Sequence, residues 1–551
     1  MGLICAVIAA SIVPQITQRI VDNVITGGKT ALFLPYILAL AFLYIVEAAG
    51  YYTEEYAADK LSAFSQKEMR RDLFSHIQKM DMNFFSKNNA AELMSRTKQD
   101  IENVGFTFGF IIVFSSELIF QIILYIFFII KITPLGLIVP LCIMPFILLF
   151  AFLAERGGDK LYDKISDETA KMNETAGEAI NGIRIVKAFG KSEKEMNRFD
   201  KKNMGFRRLN EKVDFLIADT TSPMSALARL MSVLNILVSG ILVINGKMTL
   251  GQAVALNTYV IGLSFPMMDM GWILQAVSNA VASARKINRI LDTESSVQDG
   301  EKEVEGEAVS IVFDHVSFSA DNKKILSDVS FEIMPSKSLA IMGATGSGKS
   351  TICSLLLRFM DASDGKILVN GKDIREYRLK SLRERIALVS QDTFLFSDSI
   401  DSNISIGKKG IIKSSDISLA LKLSDADEFV SRLSEKEKTV IGERGVGLSG
   451  GQKQRLSIAR ALAHSANLLI LDDATSALDM ETEKIIQRSV RNTYALSKII
   501  IAHRISSVRD ADEIIFLSDG QIAERGKHED LMNKKGLYYR TYLAQYGEDM
   551  V

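Results

Sequence analysis

Only three cysteines occur in 551 residues, Cys5, Cys142 and Cys353, and no two of them have metal-ligand spacing. Two fall in apolar runs, where a free thiol behaves as a small hydrophobe. A disulfide framework is thereby excluded, and reduced thiols are expected. Charge of one sign is lacking too: the formal net charge is -1. Without a clustered basic surface there is no electrostatic footprint for nucleic acid, and no nucleic-acid partner is expected. A single ordinary soluble domain is excluded as well, because 551 residues with 48% apolar side chains exceed what one carries.

What the chain does have is long apolar runs, such as Ala31 to Val46 and Phe108 to Ile130, all before residue 280. A bilayer core takes roughly 20 apolar residues per helix. Six spans are expected, at 1–23, 31–53, 108–131, 133–154, 226–246 and 250–275. Short connections alternate with two long charged ones, about 54–107 and 155–225. These are rich in basic residues (Arg70, Arg71, Lys79, Lys87; Lys187, Lys191, Lys194, Arg198), so the positive-inside rule puts them, and both termini, in the cytoplasm. Stretches such as Leu61 to Asp81 and Asp159 to Ala188 contain few breakers and read as helices continuing the spans outward. The rival reading of Met1 to Ala10, a signal peptide, lacks a basic n-region.

Residues 292–308 turn polar and acidic, which suits a linker between a membrane domain, 1–291, and a second domain, 309–551. There, short apolar runs (Ser338 to Met342, Ile386 to Val389, Leu468 to Leu471, Ile499 to Ile501, Ile514 to Leu517) alternate with helical stretches. That pattern belongs to a largely parallel sheet in an α/β fold.

The chemistry sits on this second domain. Gly343, Ala344, Thr345, Gly346, Ser347, Gly348, Lys349, Ser350 and Thr351 match the phosphate-binding loop, after a strand and before a helix as the motif requires. Its glycines let backbone N–H groups close around phosphates, Lys349 reaches the β and γ phosphates of ATP, and Ser350 offers a hydroxyl to Mg2+. The apolar strand Leu468 to Leu471 delivers Asp472 to the sheet's mouth as a metal-linked acid.

Leu448-Ser449-Gly450-Gly451-Gln452 resembles the signature motif of ATP-binding cassettes, and the whole chain resembles an ABC exporter half-transporter of the bacterial multidrug and lipid class. The resemblance implies a six-helix transmembrane exporter domain, all α, joined to an α/β P-loop cassette. It implies ATP sandwiched between two cassettes, with Ser449, Gly450, Gly451, Gln452 and Asp479 facing the partner's nucleotide. Gln391 is similar to the loop that senses Mg2+, and His503 to the switch histidine at the γ phosphate. Glu443-Arg444-Gly445 resembles the exporter segment that touches the partner's loops, while Asn83 to Arg96 and Gly182 to Phe199 resemble the two coupling segments.

Two positions depart from the pattern. The catalytic glutamate is replaced by Asp473, one methylene shorter, and the adenine-stacking aromatic by Ala320, two residues after Phe318. A carboxylate drawn back by about 1 Å from the attacking water costs on the order of 100-fold in rate. The other reading is that Asp473 still serves as the base. The change resembles the weakened half of heterodimeric bacterial exporters. For cargo, the intramembrane acids Glu117 and Asp269 are candidates, the latter beside Met267, Met268, Met270 and Trp272.

The expected function is therefore ATP-driven export of hydrophobic or amphipathic small molecules from an inner or plasma membrane, the cassette on the cytoplasmic side, with a second half-transporter as partner. Alternatives are a homodimeric lipid or peptide exporter and a nucleotide-gated regulatory subunit.

Overall fold

The computed structural model describes residues 2–547 apart from 307, 321–322, 407–411, 443–444, 465 and 494–495. The chain divides into two compact units: Met1–Lys79 with Asn89–Thr293, and Met80–Asn88 with Glu294–Val551.

In the first unit, six helices among the described residues are long and apolar enough to cross a membrane: Gly2–Thr26, Thr30–Ile77, Ala90–Ile132, Pro134–Gly158, Ser192–Ile244 and Leu250–Leu291. The longest uninterrupted α-helix, Ser192–Ile244, has 53 residues. At 1.5 Å per residue that is about 80 Å, so most of it lies outside a hydrocarbon core of about 30 Å. Tyr259, Leu256, Ile129, Ile147 and Met231 are fully buried at the heart of the bundle. Tyr259 also donates its hydroxyl to Ser11 O at 2.7 Å, joining the first and sixth helices. The end of the first is tied to the start of the sixth by Asp22, which accepts from Thr249 Oγ1 at 2.8 Å and Gly251 N at 2.9 Å.

The helical extensions beyond the spans are more broken than the sequence suggests. The second helix stops at Ile77, and Asp81 caps a separate short helix, Met82–Lys87, by accepting from Phe84 N at 2.9 Å. The fourth helix ends at Asn181, where Gly182 N–H closes on Glu178 O at 2.9 Å before the short helix Ile183–Ala188. Both helices close through backbone bonds at Gln78 and Gly182, which a count of helix formers does not see. The third helix carries π-helical turns at Arg96–Asp100 and Thr107–Ile111, each admitting one extra residue per turn.

In the second unit, strands β1 (Ile311–Ala320), β2 (Lys323–Ile333), β4 (Asp364–Val369) and β5 (Lys372–Asp373) form an antiparallel sheet ordered β2-β1-β4-β5. Strands β3 (Ser338–Gly343), β6 (Ile386–Val389), β7 (Leu468–Asp472), β8 (Ser497–Ile501), β9 (Glu513–Ser518) and β10 (Gln521–Gly526) form a second sheet ordered β10-β9-β3-β8-β7-β6, parallel except for β10. The apolar runs in the sequence are the parallel strands, buried on both faces. One core joins the two sheets through Phe313, Phe331, Ile341 and Ile352; another packs the helix Gly450–Ala463 against β7 through Leu456, Ile458 and Leu469.

The acidic stretch does not hang free. Glu301 and Lys302 donate backbone N–H to Glu376 O at 3.0 and 2.9 Å, and the buried Arg358 donates to Gln298 O at 2.9 Å.

Candidate functional site

The phosphate-binding loop runs from the end of β3 into the helix Lys349–Leu356. Gly346 and Gly348 have φ of 82° and 97°, which a side chain rarely adopts, and a Cβ on Gly348 would come 2.6 Å from Leu326. Lys349 is buried and folds back, Nζ donating to Gly343 O at 2.9 Å and Ala344 O at 2.8 Å. Burial lowers its pKa, against the pull of Asp472 and Asp473. The Ser347 hydroxyl is buried without a hydrogen-bond partner. A cradle of open glycines with an orphan donor and a lysine holding only loop carbonyls fits a phosphate chain.

Asp472 is the last residue of β7 rather than the first after it, and it is buried. Burial raises its pKa, opposed by a hydrogen bond from Ser350 and by the charge of Lys349, while Asp473 raises it further. Two hard oxygen donors, Ser350 and Asp472, thus meet beside the phosphate loop and fit a small divalent cation that keeps phosphate and water oxygens as its other ligands. Asp473 follows in the left-handed region at φ 47°, its N–H donating to Ile501 O at 2.9 Å. Gln391 and His503 are both exposed, in the loops after β6 and β8. His503 shares the lining of a cavity of about 590 Å³ with Gly343, Ala344 and Gln545.

On the signature segment, the helix begins at Gly450 because Ser449 is its N-cap. Ser449 Oγ accepts from Gln452 N at 3.3 Å, and Gln452 Oε1 accepts from Ser449 N at 2.9 Å. This capping box occupies both side chains. Asp479 likewise caps the helix Met480–Thr493, accepting from Thr482 N at 2.9 Å and Glu481 N at 3.1 Å, which holds its pKa down. Gly451 packs on the same loop: a Cβ there would sit 3.2 Å from Ala477 O.

Phe318 packs against the core of the sheets and Ala320 ends β1, paired with Lys323. Glu443 and Arg444 lie outside the described residues. Ile183–Ala188 exposes Ile183 and Ile185, while Met82 N of the first coupling segment donates to Phe359 O at 3.3 Å.

In the membrane unit, Glu117 accepts from Tyr51 OH at 2.7 Å. Asp269 is half-buried one helical turn from Trp272. Trp272 stands edge-on to Phe106, Phe110 and Phe114, with ring centroids at 6.2, 5.9 and 6.2 Å. The sequence reading did not single out those phenylalanines, although their spacing of four residues was the available signal. Glu47 and Glu54, three or four residues from Tyr51 and on the same helix face, were also passed over.

Residues 1–267 match the family described as ABC transporter transmembrane region, and residues 326–476 the family described as ABC transporter. The chain is 33% identical to the uncharacterized ABC transporter ATP-binding protein YwjA of Bacillus subtilis, over 97% of this chain and 94% of that protein. It is 33% identical to the ATP-dependent lipid A-core flippase of Haemophilus ducreyi (95% and 90%) and 32% identical to the putative multidrug export ATP-binding/permease protein YgaD of Bacillus subtilis (97% and 93%). Among solved structures, a bacterial Atm1-family ABC exporter with ATP bound superposes with a TM-score of 0.88 at 26% identity, covering 99% of this chain and 98% of that one.

Proposed function

This chain belongs to the ABC transporter family as an ATPase coupled to transmembrane transport, and from that premise we propose that it is the weakened half of a heterodimeric exporter of hydrophobic or amphipathic small molecules. The observation that carries the reading is Asp473. Its backbone is pinned to β8 by the bond to Ile501 O, so the chain has little freedom to push the shorter carboxylate forward. The general base at this site then stands back from the water that must attack the γ phosphate.

In this reading ATP lies on 343–351, Mg2+ is held by Ser350 and Asp472 with Gln391 near it, and His503 meets the γ phosphate. Ser449, Gly450, Gly451, Gln452 and Asp479 serve the partner's nucleotide, where the partner supplies its own base. The cassette lies on the cytoplasmic side, as the basic connections require. Glu117 and Asp269 are proposed cargo contacts. The relatives named for lipid A-core and for multidrug export support a cargo of the hydrophobic or amphipathic class.

The test is the steady-state ATPase rate of the purified chain in lipid, beside Asp473→Glu and with Lys349→Ala as the blank. The parent should lie near the blank and Asp473→Glu should exceed it by on the order of 100-fold. A parent rate that Asp473→Glu barely changes would instead make the chain a self-sufficient homodimer.

A further inference from the structure

Between the loop that leaves Asp473 and the segment that follows His503, one buried carboxylate collects donors from three elements. Glu483 is 3% exposed, on the helix Met480–Thr493. Its Oε1 accepts from Thr475 Oγ1 at 3.1 Å, from Gln487 Nε2 at 3.0 Å and from Ser507 Oγ. Its Oε2 lies 3.5 Å from Arg504 Nη1, and the other arm of that guanidinium donates to Ser476 O at 3.3 Å. Thr475 and Ser476 belong to the loop that ends at Asp479; Arg504 and Ser507 follow directly on His503.

The surrounding bonds make each segment move as a piece. Gln454, buried on the signature helix, donates to Ser476 Oγ at 3.1 Å and accepts from Ala477 N at 2.9 Å. Gln545 brackets the histidine, donating to His503 O at 2.6 Å and accepting from Ile505 N at 2.9 Å. The carboxylate of Glu483 is therefore the junction of a continuous hydrogen-bonded path from the signature helix, through the Thr475–Asp479 loop, to the backbone that carries His503. A buried anion is costly to desolvate and is retained where it is fully bonded.

We propose that Glu483 is a positioning residue: it ties the Thr475–Asp479 loop to the Arg504–Val508 segment, so that seating the second cassette against the loop sets the position of His503. Glu483 touches neither nucleotide nor metal. The proposal rests on the reading that the Asp479 loop faces a second cassette and that His503 faces nucleotide. A single anion accepting from both sides transmits displacement in either direction, which is coupling in the thermodynamic sense. Glutamine has nearly the same shape, but it replaces one acceptor oxygen by a donor and removes the charge that holds Arg504.

The experiment uses the full chain in lipid nanodiscs and reads amide hydrogen exchange with and without ATP, for the parent and Glu483→Gln. Without nucleotide, Glu483→Gln should speed exchange in both Thr475–Leu478 and Arg504–Val508, on the order of tenfold, and leave 344–351 unchanged. With ATP, the parent should protect all three segments, and the variant should protect 344–351 alone. In the Asp473→Glu background, Glu483→Gln should lower kcat on the order of tenfold with KM for ATP unmoved, and adding His503→Ala should cost no more than His503→Ala does by itself. Should Glu483→Gln fold poorly, Thr475→Val and Ser507→Ala cut the path from either side and should each free the distant segment. Unchanged exchange in both segments overturns the proposal, as does a parallel loss of ATP binding and turnover, which is what a merely structural residue gives. If ATP protects 344–351 but leaves the other two segments of the parent unchanged, the partner-facing reading fails, and the nucleotide-free comparison still decides the tie.

Discussion

In the proposed reading the cassette has two nucleotide-facing surfaces, and they differ in how far they keep the pattern the resemblance implies. The phosphate-loop side has the full glycine-lysine-serine motif but carries Asp473 and Ala320 at the two positions where the resemblance implies a glutamate and an aromatic. The signature side keeps its whole motif, and the structure shows those residues already committed to their own fold, Ser449 and Gln452 in a capping box and Asp479 as a helix cap. The first surface presents open glycine backbone and the unpaired Ser347 hydroxyl, whereas the second ties its polar side chains into helix caps. Change at a reacting carboxylate leaves the fold intact, whereas change at a capping residue also loosens the helix it starts.

The largest break in this comparison comes from Lys349→Ala. Removing the only side-chain cation in the phosphate cradle should weaken ATP binding at least about 100-fold in a fluorescent-nucleotide titration, through loss of charge-assisted bonds to phosphate. Ser449→Ala should leave that titration unmoved.

A second contrast comes from Asp472→Asn. Burial holds the Asp472 pKa above its unfolded value, so its charged form costs stability above pH ~4 and relief arrives only as pH falls through the raised folded value. The amide removes that cost. The ligand-free chain should melt higher by thermal scanning, while the further rise produced by ATP with Mg2+ shrinks or disappears.

Ser449→Ala is the smaller, structural counterpart. Loss of one N-cap costs about 1 kcal/mol, which should appear as a drop of a few degrees in the melting of the cassette unit. The smallest effect is expected at Asp512. Its carboxylate accepts from Ser338 N at 2.9 Å, Ser338 Oγ at 2.7 Å and Lys337 Nζ at 2.9 Å, fixing the start of β3, the strand that carries the phosphate loop. These bonds hold its pKa down to about 2 despite partial burial. The stability it contributes is complete above the unfolded value near 4 and fades as pH falls through about 2. Asp512→Asn should flatten that part of the acid-melting curve and change ATP binding little.

The strands and the phosphate loop of the cassette were legible because apolar runs and glycine spacing are local signals. All five apolar runs proved to be parallel strands, and the phosphate loop fell between β3 and its helix as read. The membrane unit was legible only as six spans. The helix ends at Ile77 and Asn181 escaped because composition does not mark them, and the aromatic cluster around Trp272 because its members lie on different helices. Glu483 escaped for the same reason. In sequence it is an ordinary charge in the first turn of a helix, and only the approach of Ser507, 24 residues later, makes it a junction.

The sequence by itself determined which segments are apolar enough to enter a bilayer, which loop can wrap phosphate, and that an aspartate, Asp473, stands where the resemblance implies the base. These follow from composition and local spacing, which hold wherever the chain goes. Only the tertiary structure decided that Ser449 and Asp479 spend their side chains on helix caps, that Lys349 rests on Gly343 and Ala344, and that one buried carboxylate joins the loop of Asp479 to the backbone of His503. Those assignments depend on which donors arrive near a given acceptor once the sheets and helices pack, and hydrogen bonds reach only about 3 Å.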